Sequence, residues 1–212
     1  MWIVYPRKYY MKLYFVRHAE RDTGGDYHNP LLGHQDNPLT ERGLTQARRL
    51  PAAFAGKEFS SIRVSAYLRT AKTAERLAAD RGMVPVVDAR LNEIDNGRIE
   101  GLTPEEIQDA FPDFWKEYSA RTSDCRFPGG ETGAEVKARQ DALLKELVDK
   151  GEDAVLVCHE GFIRLLLCNV LGMPVYLRHK FKIDFCSMTE LEYDRDRGEF
   201  RVLGVNLPLP EV

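Results

Sequence analysis

Two histidines in the sequence each follow directly on a short apolar run and stand beside a charged residue. His18 follows KLYFVR, which makes Arg17 its neighbour, and His159 follows AVLVC and precedes Glu160. A neutral imidazole is a nucleophile, and a nearby guanidinium disfavours the imidazolium form. Guanidinium groups also present forked donors that match the oxygens of a phosphate. The Arg17–His18 pair is therefore a candidate for a reactive histidine beside a bound oxyanion, with a surface histidine beside an arginine as the ordinary alternative.

Two further residues extend this candidate site. Arg69 begins a predicted helix shortly after a predicted strand, where backbone N–H groups and the helix dipole favour an anion. Glu93 lies in a loop, and a carboxyl group there is able to protonate a leaving oxygen. Taken alone, each residue has an ordinary alternative: a solvated arginine, a surface glutamate and, at position 159, a half-buried histidine. The hypothesis depends on the fold bringing them together.

The elements that must position these residues alternate between strands and helices. We predict strands at residues 12–17, 61–65, 84–88, 154–158, 187–194 and 199–205, and helices at residues 44–54, 69–81, 131–150 and 161–171. This alternation is typical of an α/β fold, which we expect to be three-layered, α/β/α, with a mostly parallel central sheet. Ligands of such sheets bind beyond the carboxyl ends of the strands, so the four polar groups are expected at one rim.

The domain organisation is interpreted as one domain of 212 residues with an insertion. The core comprises residues 11–96 and 131–212, a helical lid occupies residues 97–130, and residues 1–10 are a possible N-terminal extension, with Met11 as an alternative start. The lid contains short helical pieces broken by prolines. Its aromatic residues either form an apolar wall for substrate or pack the lid onto the core.

Composition excludes several function classes. The net charge of −3 gives no general attraction to nucleic acid or to an anionic membrane. The longest apolar stretches are too short to span a bilayer. The four cysteines form no CxxC pair and are predicted to be buried free thiols, which fits a cytoplasmic location. Nothing in the sequence indicates a particular oligomeric state.

Six stretches, in order along the chain, resemble the histidine phosphatase superfamily, also called the phosphoglycerate mutase-like family. They are LYFVRHAE at 13–20, GHQDNPLTERGLTQA at 33–47, VSAYLRTAKTA at 64–74, LNEIDNGRIEGLT at 91–103, PGGETGAEVKAR at 128–139 and VLVCHEGFIR at 155–164. The resemblance implies that His18 is phosphorylated during turnover and that Glu93 is the proton donor. It also implies that Arg17, Arg69 and His159 bind the phosphate of a small-molecule ester. No metal or other cofactor is expected.

The loop after the nucleophile departs from the family pattern. Many members carry a hydroxyl residue three positions after the histidine, where this chain has Arg21. The loop is apparently two residues longer than usual, with Leu32 at the position of a common glutamine and Asn29 near that of an asparagine. Arg21 is either an additional substrate contact or a surface charge. His28 and His34 are interpreted as surface residues, with substrate contact as the alternative.

The residues after the proton donor favour a phosphatase over a mutase. Mutases of this type typically continue with Arg-His-Tyr-Gly, whereas this chain reads Glu93-Ile94-Asp95-Asn96-Gly97. A carboxylate at Asp95 disfavours a phosphorylated carboxylic acid as substrate. The pattern resembles small bacterial phosphatases, which include broad-specificity and α-ribazole-phosphate phosphatases. The leading hypothesis is therefore a metal-independent phosphomonoesterase; the alternatives are a cofactor-dependent phosphoglycerate mutase-type phosphotransferase and a catalytically silent phospholigand-binding regulatory protein.

Overall fold

Apolar and β-branched runs form a six-stranded central sheet in the computed structural model, which describes residues 9–24 and 27–210. The strands are β1 Tyr10–Arg17, β2 Tyr27–Asn29, β3 His34–Asp36, β4 Ser61–Val64, β5 Val86–Val87, β6 Ala154–Cys158, β7 Met188–Asp194 and β8 Glu199–Leu207. The main sheet has the order β5-β4-β6-β1-β7-β8. Its first four strands are parallel, and β7 pairs antiparallel with both β1 and β8. The predicted α/β fold with a mostly parallel sheet is confirmed.

Seven α-helices in the described ranges surround this sheet. They are α1 Glu41–Ala47, α2 Leu50–Ala53, α3 Leu68–Arg81, α4 Pro104–Ala110, α5 Pro112–Ala120, α6 Gly133–Lys150 and α7 Glu160–Val170. The helix predicted at 44–54 is wrong as one element, because the chain forms α1 and α2 separately. Pro51 has no N–H to donate to the carbonyl of Ala47, and its ring would clash with that carbonyl. None of the helices in the described part of the chain is long and apolar enough to cross a membrane.

Alternating residues of β1 face two hydrophobic cores, one on each side of the sheet. Leu13 and Phe15 pack in the core that contains α6, α7 and the lid. Tyr14 and Val16 pack in the core that contains α1, α2 and α3. This period-2 alternation makes β1 the centre of a three-layered structure. The four cysteines are free and buried, as predicted.

The lid segment packs on the first core. Ile99, Ile107 and Phe127 are buried there, and the half-buried aromatic residues Phe111, Phe114, Trp115 and Tyr118 pack against the same cluster. These contacts confirm packing as the role of the lid aromatics. The lid returns to the core at a glycine pair, where a Cβ on Gly130 would lie 2.1 Å from the carbonyl oxygen of Asp95.

Two segments differ from the predicted secondary structure, and a third lies outside the described residues. The segment predicted as a loop after the nucleophile contains the β2–β3 hairpin, closed by Gly33 at a φ of +72°. The strand predicted at 84–88 is reduced to the two exposed residues of β5 at the sheet edge. Residues 1–8 of the possible N-terminal extension lie outside the described residues, and β1 begins at Tyr10.

Candidate active site

The two histidines are neighbours because the strands before them are paired. In the parallel β1–β6 ladder Arg17 lies opposite Cys158, so His18 and His159 leave the sheet side by side. Their ring centroids are 5.2 Å apart. The Nδ1 atom of His18 lies 2.7 Å from the carbonyl oxygen of Ala19. A carbonyl only accepts, so Nδ1 carries the proton and Nε2 keeps a free lone pair for nucleophilic attack.

The His18 ring is held in its neutral form by its surroundings. Burial lowers the pKa of His18 well below its ordinary value, and the positive charge of Arg69 lowers it further. The contribution of Arg17 is smaller. The sequence predicted that neighbouring guanidiniums keep the imidazole neutral. In the structure, burial lowers the His18 pKa more than the guanidiniums do, since only 4% of His18 is exposed.

A chain of hydrogen bonds fixes the tautomer of His159. Its Nδ1 lies 3.2 Å from a guanidinium nitrogen of Arg69 and must accept, because a guanidinium only donates. Its Nε2–H therefore donates to the hydroxyl of Ser65 at 2.8 Å. That hydroxyl is 2.9 Å from the hydroxyl of Thr70, which in turn donates to the carbonyl of Tyr67 at 2.7 Å. Burial and the charge of Arg69 lower the pKa of His159 well below its ordinary value.

Arg69 is positioned by a buried carboxylate that the sequence reasoning missed. One Asp36 oxygen accepts from the Arg69 guanidinium at 3.0 Å. The other accepts from the side-chain amide of Asn29 at 2.8 Å and from the backbone N–H of Leu68 at 2.5 Å. Asp36 thereby caps α3, whose N-cap residue Tyr67 makes no side-chain capping bond. The Tyr67 ring lies under the Arg69 guanidinium, 4.0 Å from ring centroid to Cζ.

Arg17, the residue before His18, is held by a separate set of contacts. Its guanidinium donates to the carbonyl of Ile183 at 2.6 Å and forms a 3.0 Å ion pair with Glu160. The Phe185 ring covers one face of this guanidinium, with 3.8 Å between Cζ and the ring centroid. The same ring lies 5.6 Å from the His18 ring, centroid to centroid. Arg17 and Arg69 are therefore two cations near His18, the predicted nucleophile, and both lower its pKa.

Glu93 is bound at the N-terminus of α7. Its Oε1 accepts from the backbone N–H groups of Ile94 at 3.0 Å and Phe162 at 2.9 Å, and its Oε2 accepts from that of Gly161 at 3.1 Å. A Cβ at position 161 would lie 2.6 Å from Oε1, which explains the glycine after His159-Glu160. Burial raises the pKa of Glu93, opposed by these three hydrogen bonds. Oε2 has the fewer partners and is the better place for a transferable proton.

Arg139 on α6 holds the loop that carries Glu93. Its guanidinium donates to the backbone carbonyls of Arg90 at 2.6 Å, Asn92 at 2.8 Å and Glu93 at 3.2 Å. It also pairs with Glu131 at 3.1 Å. A single side chain thus satisfies three carbonyls of an irregular segment and fixes Glu93, the predicted proton donor, relative to α6.

The structure brings all five predicted site residues together and adds others that the sequence reasoning did not single out. The additional residues are Asp36, Ser65, Tyr67, Arg139 and Phe185. Signals were available for four of them, since Asp36, Ser65, Tyr67 and Arg139 lie inside stretches that carry the family resemblance. Ser65 directly follows β4, where a polar side chain reaches the binding edge of the sheet. Phe185 has no comparable signal in the sequence.

A cleft of about 680 Å³ leads outward from Arg69 and Glu93. Its outer part is lined by Arg21, Thr23, Asn37, Asp95, Asn96 and Glu100. Arg21, left open as a substrate contact or a surface charge, faces this cleft and lies 3.9 Å from Glu100 on the lid. His28 is exposed outside the cleft lining, and the side chain of His34 lies outside the described residues. Within residues 9–24 and 27–210, no group of three or more His, Cys, Asp or Glu side chains is arranged to hold a metal ion.

Comparisons with known proteins cover nearly the whole chain. The sequence model of the histidine phosphatase superfamily (branch 1) matches residues 13–206. A Yersinia pestis (strain Pestoides F) protein named "Probable phosphoglycerate mutase GpmB" is 30% identical over 191 residues, covering 86% of this chain and 85% of the relative. The native structure of mycobacterial glucosyl-3-phosphoglycerate phosphatase superposes with a TM-score of 0.77 at 28% identity, covering 93% of this chain and 99% of that chain. A structure named "Mycobacterial hydrolase 2" gives a TM-score of 0.80 at 26% identity, covering 96% and 94%.

Proposed function

This chain belongs to branch 1 of the histidine phosphatase superfamily, a group of phosphoryl-transfer enzymes, and on that premise we propose that it is a metal-independent phosphatase. It hydrolyses small phosphomonoesters through a phosphohistidine on His18. The observation that carries the proposal is the bare Nε2 of a buried, neutral His18 between two guanidiniums, beside a carboxyl group whose pKa is raised.

In the first step the phosphate of the ester binds between Arg17 and Arg69. Nε2 of His18 attacks phosphorus, and the bond from phosphorus to the ester oxygen breaks. Glu93 gives the proton on Oε2 to the departing oxygen, so the product alcohol leaves neutral. The guanidiniums stabilise the charge on the transferred phosphoryl group, which is the main demand of this reaction. His159 keeps Arg69 in place through the 3.2 Å contact at Nδ1.

In the second step water attacks the phosphohistidine. The Glu93 carboxylate takes a proton from the water, a new phosphorus–oxygen bond forms, and the phosphorus–nitrogen bond breaks. The electron pair of that bond returns to Nε2, so His18 is neutral again and inorganic phosphate leaves. One carboxyl group thus serves as acid in the first step and base in the second, which its raised pKa favours.

The lining of the outer cleft favours a phosphate ester whose alcohol part is uncharged and rich in hydroxyl groups. Its lining offers hydroxyl, amide and carboxylate groups, which bind alcohols well and repel a second anion. Asp95 and Glu100 are both exposed on the lid side of the cleft. Among the cleft-lining residues beyond the phosphate pocket, the cation is Arg21, and it faces Glu100 at 3.9 Å.

The second candidate function is phosphoglycerate mutation, which the name of the Yersinia relative favours. A mutase binds the carboxylate of a sugar acid and protects its phosphohistidine from water. The carboxylates of the outer cleft would repel the carboxylate of a sugar acid, which argues against a mutase. The name of the mycobacterial structural relative, a glucosyl-3-phosphoglycerate phosphatase, favours the hydrolase.

A matched pair of substrates tests the proposal. Glycerol 3-phosphate and 3-phosphoglycerate differ chiefly by a carboxylate, and each is incubated with the enzyme in EDTA while phosphate release and 31P NMR spectra are recorded. We expect phosphate release, faster from glycerol 3-phosphate, and an acid-labile phosphoenzyme that is lost in His18→Ala. Interconversion of 3- and 2-phosphoglycerate with little phosphate release would establish the mutase instead. Folded protein with neither turnover of a wider ester panel nor a phosphoenzyme would establish a binding protein.

A further inference from the structure

We propose that Phe185 is a positioning residue of this site: its ring holds the Arg17 guanidinium on one face and closes the His18 ring off from water. The inference rests on the proposed function for its effect on turnover. Its effects on the free enzyme need no substrate. Phe185 therefore joins the two sides of the phosphate pocket through an apolar surface rather than through a hydrogen bond.

The contacts of the ring point toward the site. A guanidinium 3.8 Å from the ring centroid is in the range of a strong cation–π contact, and desolvation strengthens it. Hydrogen bonding to the carbonyl of Ile183 and pairing with Glu160 fix the edge of the same guanidinium. The ring face and the two edge contacts together leave Arg17 one orientation. The ring also lies near His18, at 5.6 Å between centroids.

The backbone on both sides of Phe185 is anchored. The N–H of Cys186 donates to the carbonyl of Arg17 at 3.1 Å, and the N–H of Arg17 donates to the carbonyl of Ser187 at 3.1 Å. On the other side, the Asp184 N–H donates to the side chain of Asn206 at 2.6 Å, and the Asn206 amide donates back to the Asp184 carboxylate at 2.9 Å. The backbone that carries the ring is therefore anchored to β1 on one side of Phe185 and to Asn206 on the other.

The backbone at Cys186 is in a conformation that few side chains adopt. Its φ is +56°, in the left-handed region that favours glycine. This residue turns the chain between Phe185 and the start of β7. A strained residue next to a functional group is retained when the surrounding structure requires that turn. Here the turn directs the neighbouring ring onto Arg17 and His18.

Core packing does not account for Phe185. The ring is only half-buried, and it belongs to neither of the two hydrophobic clusters of the described chain. An aromatic residue retained for stability alone would be expected within one of these clusters. The ring contacts of Phe185 are instead with Arg17 and His18.

Loss of the ring has two consequences. Arg17 gains freedom, so phosphate binds less tightly. Water reaches His18, and because burial is the largest cause of its lowered pKa, that pKa rises toward its ordinary value. The charged and titratable groups that face His18 are Arg17, Arg69, Arg21 and His159. A substitution at position 185 removes none of these groups, and the freedom gained by Arg17 acts in the same direction, since Arg17 also lowers the His18 pKa.

The test compares Phe185→Leu and Phe185→Trp with Phe200→Leu, a matched control. Phe200 is also half-buried, but it lies on β8 against Tyr193, at 4.8 Å between ring centroids. Three quantities are measured: the NMR titration of the His18 ring, assigned by its loss in His18→Gln; the Kd of inorganic phosphate; and kcat and KM. We expect Phe185→Leu to raise the His18 pKa, weaken phosphate binding about tenfold and move the acid limb of kcat/KM upward. We expect Phe185→Trp to keep the His18 pKa, the phosphate Kd and kcat/KM close to the wild-type values, and Phe200→Leu to change none of these quantities.

The outcomes separate the inference from the proposed function. If Phe185→Leu leaves the His18 titration and the phosphate Kd unchanged, the inference is wrong, whatever the turnover. If Phe200→Leu shifts them equally, the effect is a general loss of packing and the inference is also wrong. If the wild-type protein turns over no ester, the function fails, while the titration and phosphate binding still decide the role of Phe185.

Discussion

The proposed phosphate pocket, which comprises Arg17, His18, Arg69 and His159, and the lid are held in place by different kinds of contact. In the pocket, side chains are fixed by hydrogen bonds from several elements, as at Asp36, whose two oxygens accept from Arg69, Asn29 and the start of α3. The lid depends on apolar packing, and α5 has no fully buried residue. Its polar groups at the cleft are exposed, as at Glu100, which accepts from the Asn96 side chain at 2.9 Å and lies 3.9 Å from Arg21.

This difference suggests that the pocket carries out the chemistry and that the lid recognises the leaving alcohol. Chemistry that requires a phosphate to be held within tenths of an ångström needs groups whose rotamers are already fixed. Recognition of the leaving alcohol tolerates a surface that adjusts and varies. Substitutions in the pocket should therefore reduce turnover for every substrate, whereas substitutions in the lid should change which substrate is preferred or how stable the fold is.

The largest expected effect is that of Glu93→Gln. The amide keeps the size of the side chain but has no transferable proton, so kcat should fall about 10²- to 10³-fold for esters of alkyl alcohols. The loss should be smaller for p-nitrophenyl phosphate, whose leaving group needs no proton. Steady-state kinetics with the two kinds of ester measure the contrast.

Glu100→Gln on the lid is the matched control for this substitution. It makes the same chemical change in the same cleft, and we expect kcat to change less than threefold, with the effect in KM. A loss from Glu100→Gln as large as that from Glu93→Gln would overturn the division between pocket and lid.

A second comparison uses two aspartates that bind backbone N–H groups at helix starts. Asp36 serves α3 and Arg69, and Asp124 accepts from Gly133 and Ala134 at the start of α6. Asp36→Asn should lower kcat/KM about 10- to 100-fold, because Arg69 loses its charged partner. Asp124→Asn should reduce stability by about 1 kcal/mol with little change in kcat/KM. Kinetics and urea denaturation of both variants measure this; equal losses of activity would contradict it.

The sequence was sufficient to predict the sheet, because its buried strands are local signals. The five candidate site residues were predicted only together with the ordered family resemblance, because each of them taken alone has an ordinary alternative. Buried strands such as β1 and β6 are short apolar runs, and the residues that follow them are fixed by chain connectivity. Parallel pairing then places His18 beside His159 with no further information. The same logic failed at the helix after Thr40, where Pro51 interrupts a favourable pattern.

Partners that act across long sequence separations were not predictable in this way. Arg139 lies 46 residues from the Glu93 carbonyl that it binds, and Arg17 lies 166 residues from its partner Ile183. Neither arginine pairing has a spacing or pattern that identifies it. The neutral state of His18 was predicted from neighbouring charges, but its main cause is burial, which depends on the complete tertiary structure.

The smallest expected effect concerns stability at mildly acid pH. Burial lowers the pKa of His18 and His159 well below the ordinary value and that of His179 to about 4. Between these folded-state values and about 6.5, the three histidines bind more protons in the unfolded chain than in the folded chain, and they outnumber Glu93, whose raised pKa acts in the opposite direction. Stability therefore falls as pH decreases from 7 to 5. Urea denaturation at pH 7, 6 and 5 measures this slope.

His179 lies outside the phosphate pocket, with its ring 5.4 Å from that of Tyr118 in the lid. His179→Asn should therefore make the slope shallower while kcat is unchanged. An unchanged slope would show that His179 does not contribute to the pH dependence of stability. A loss of kcat as large as that of a pocket variant would show that His179 acts in the pocket rather than with the lid.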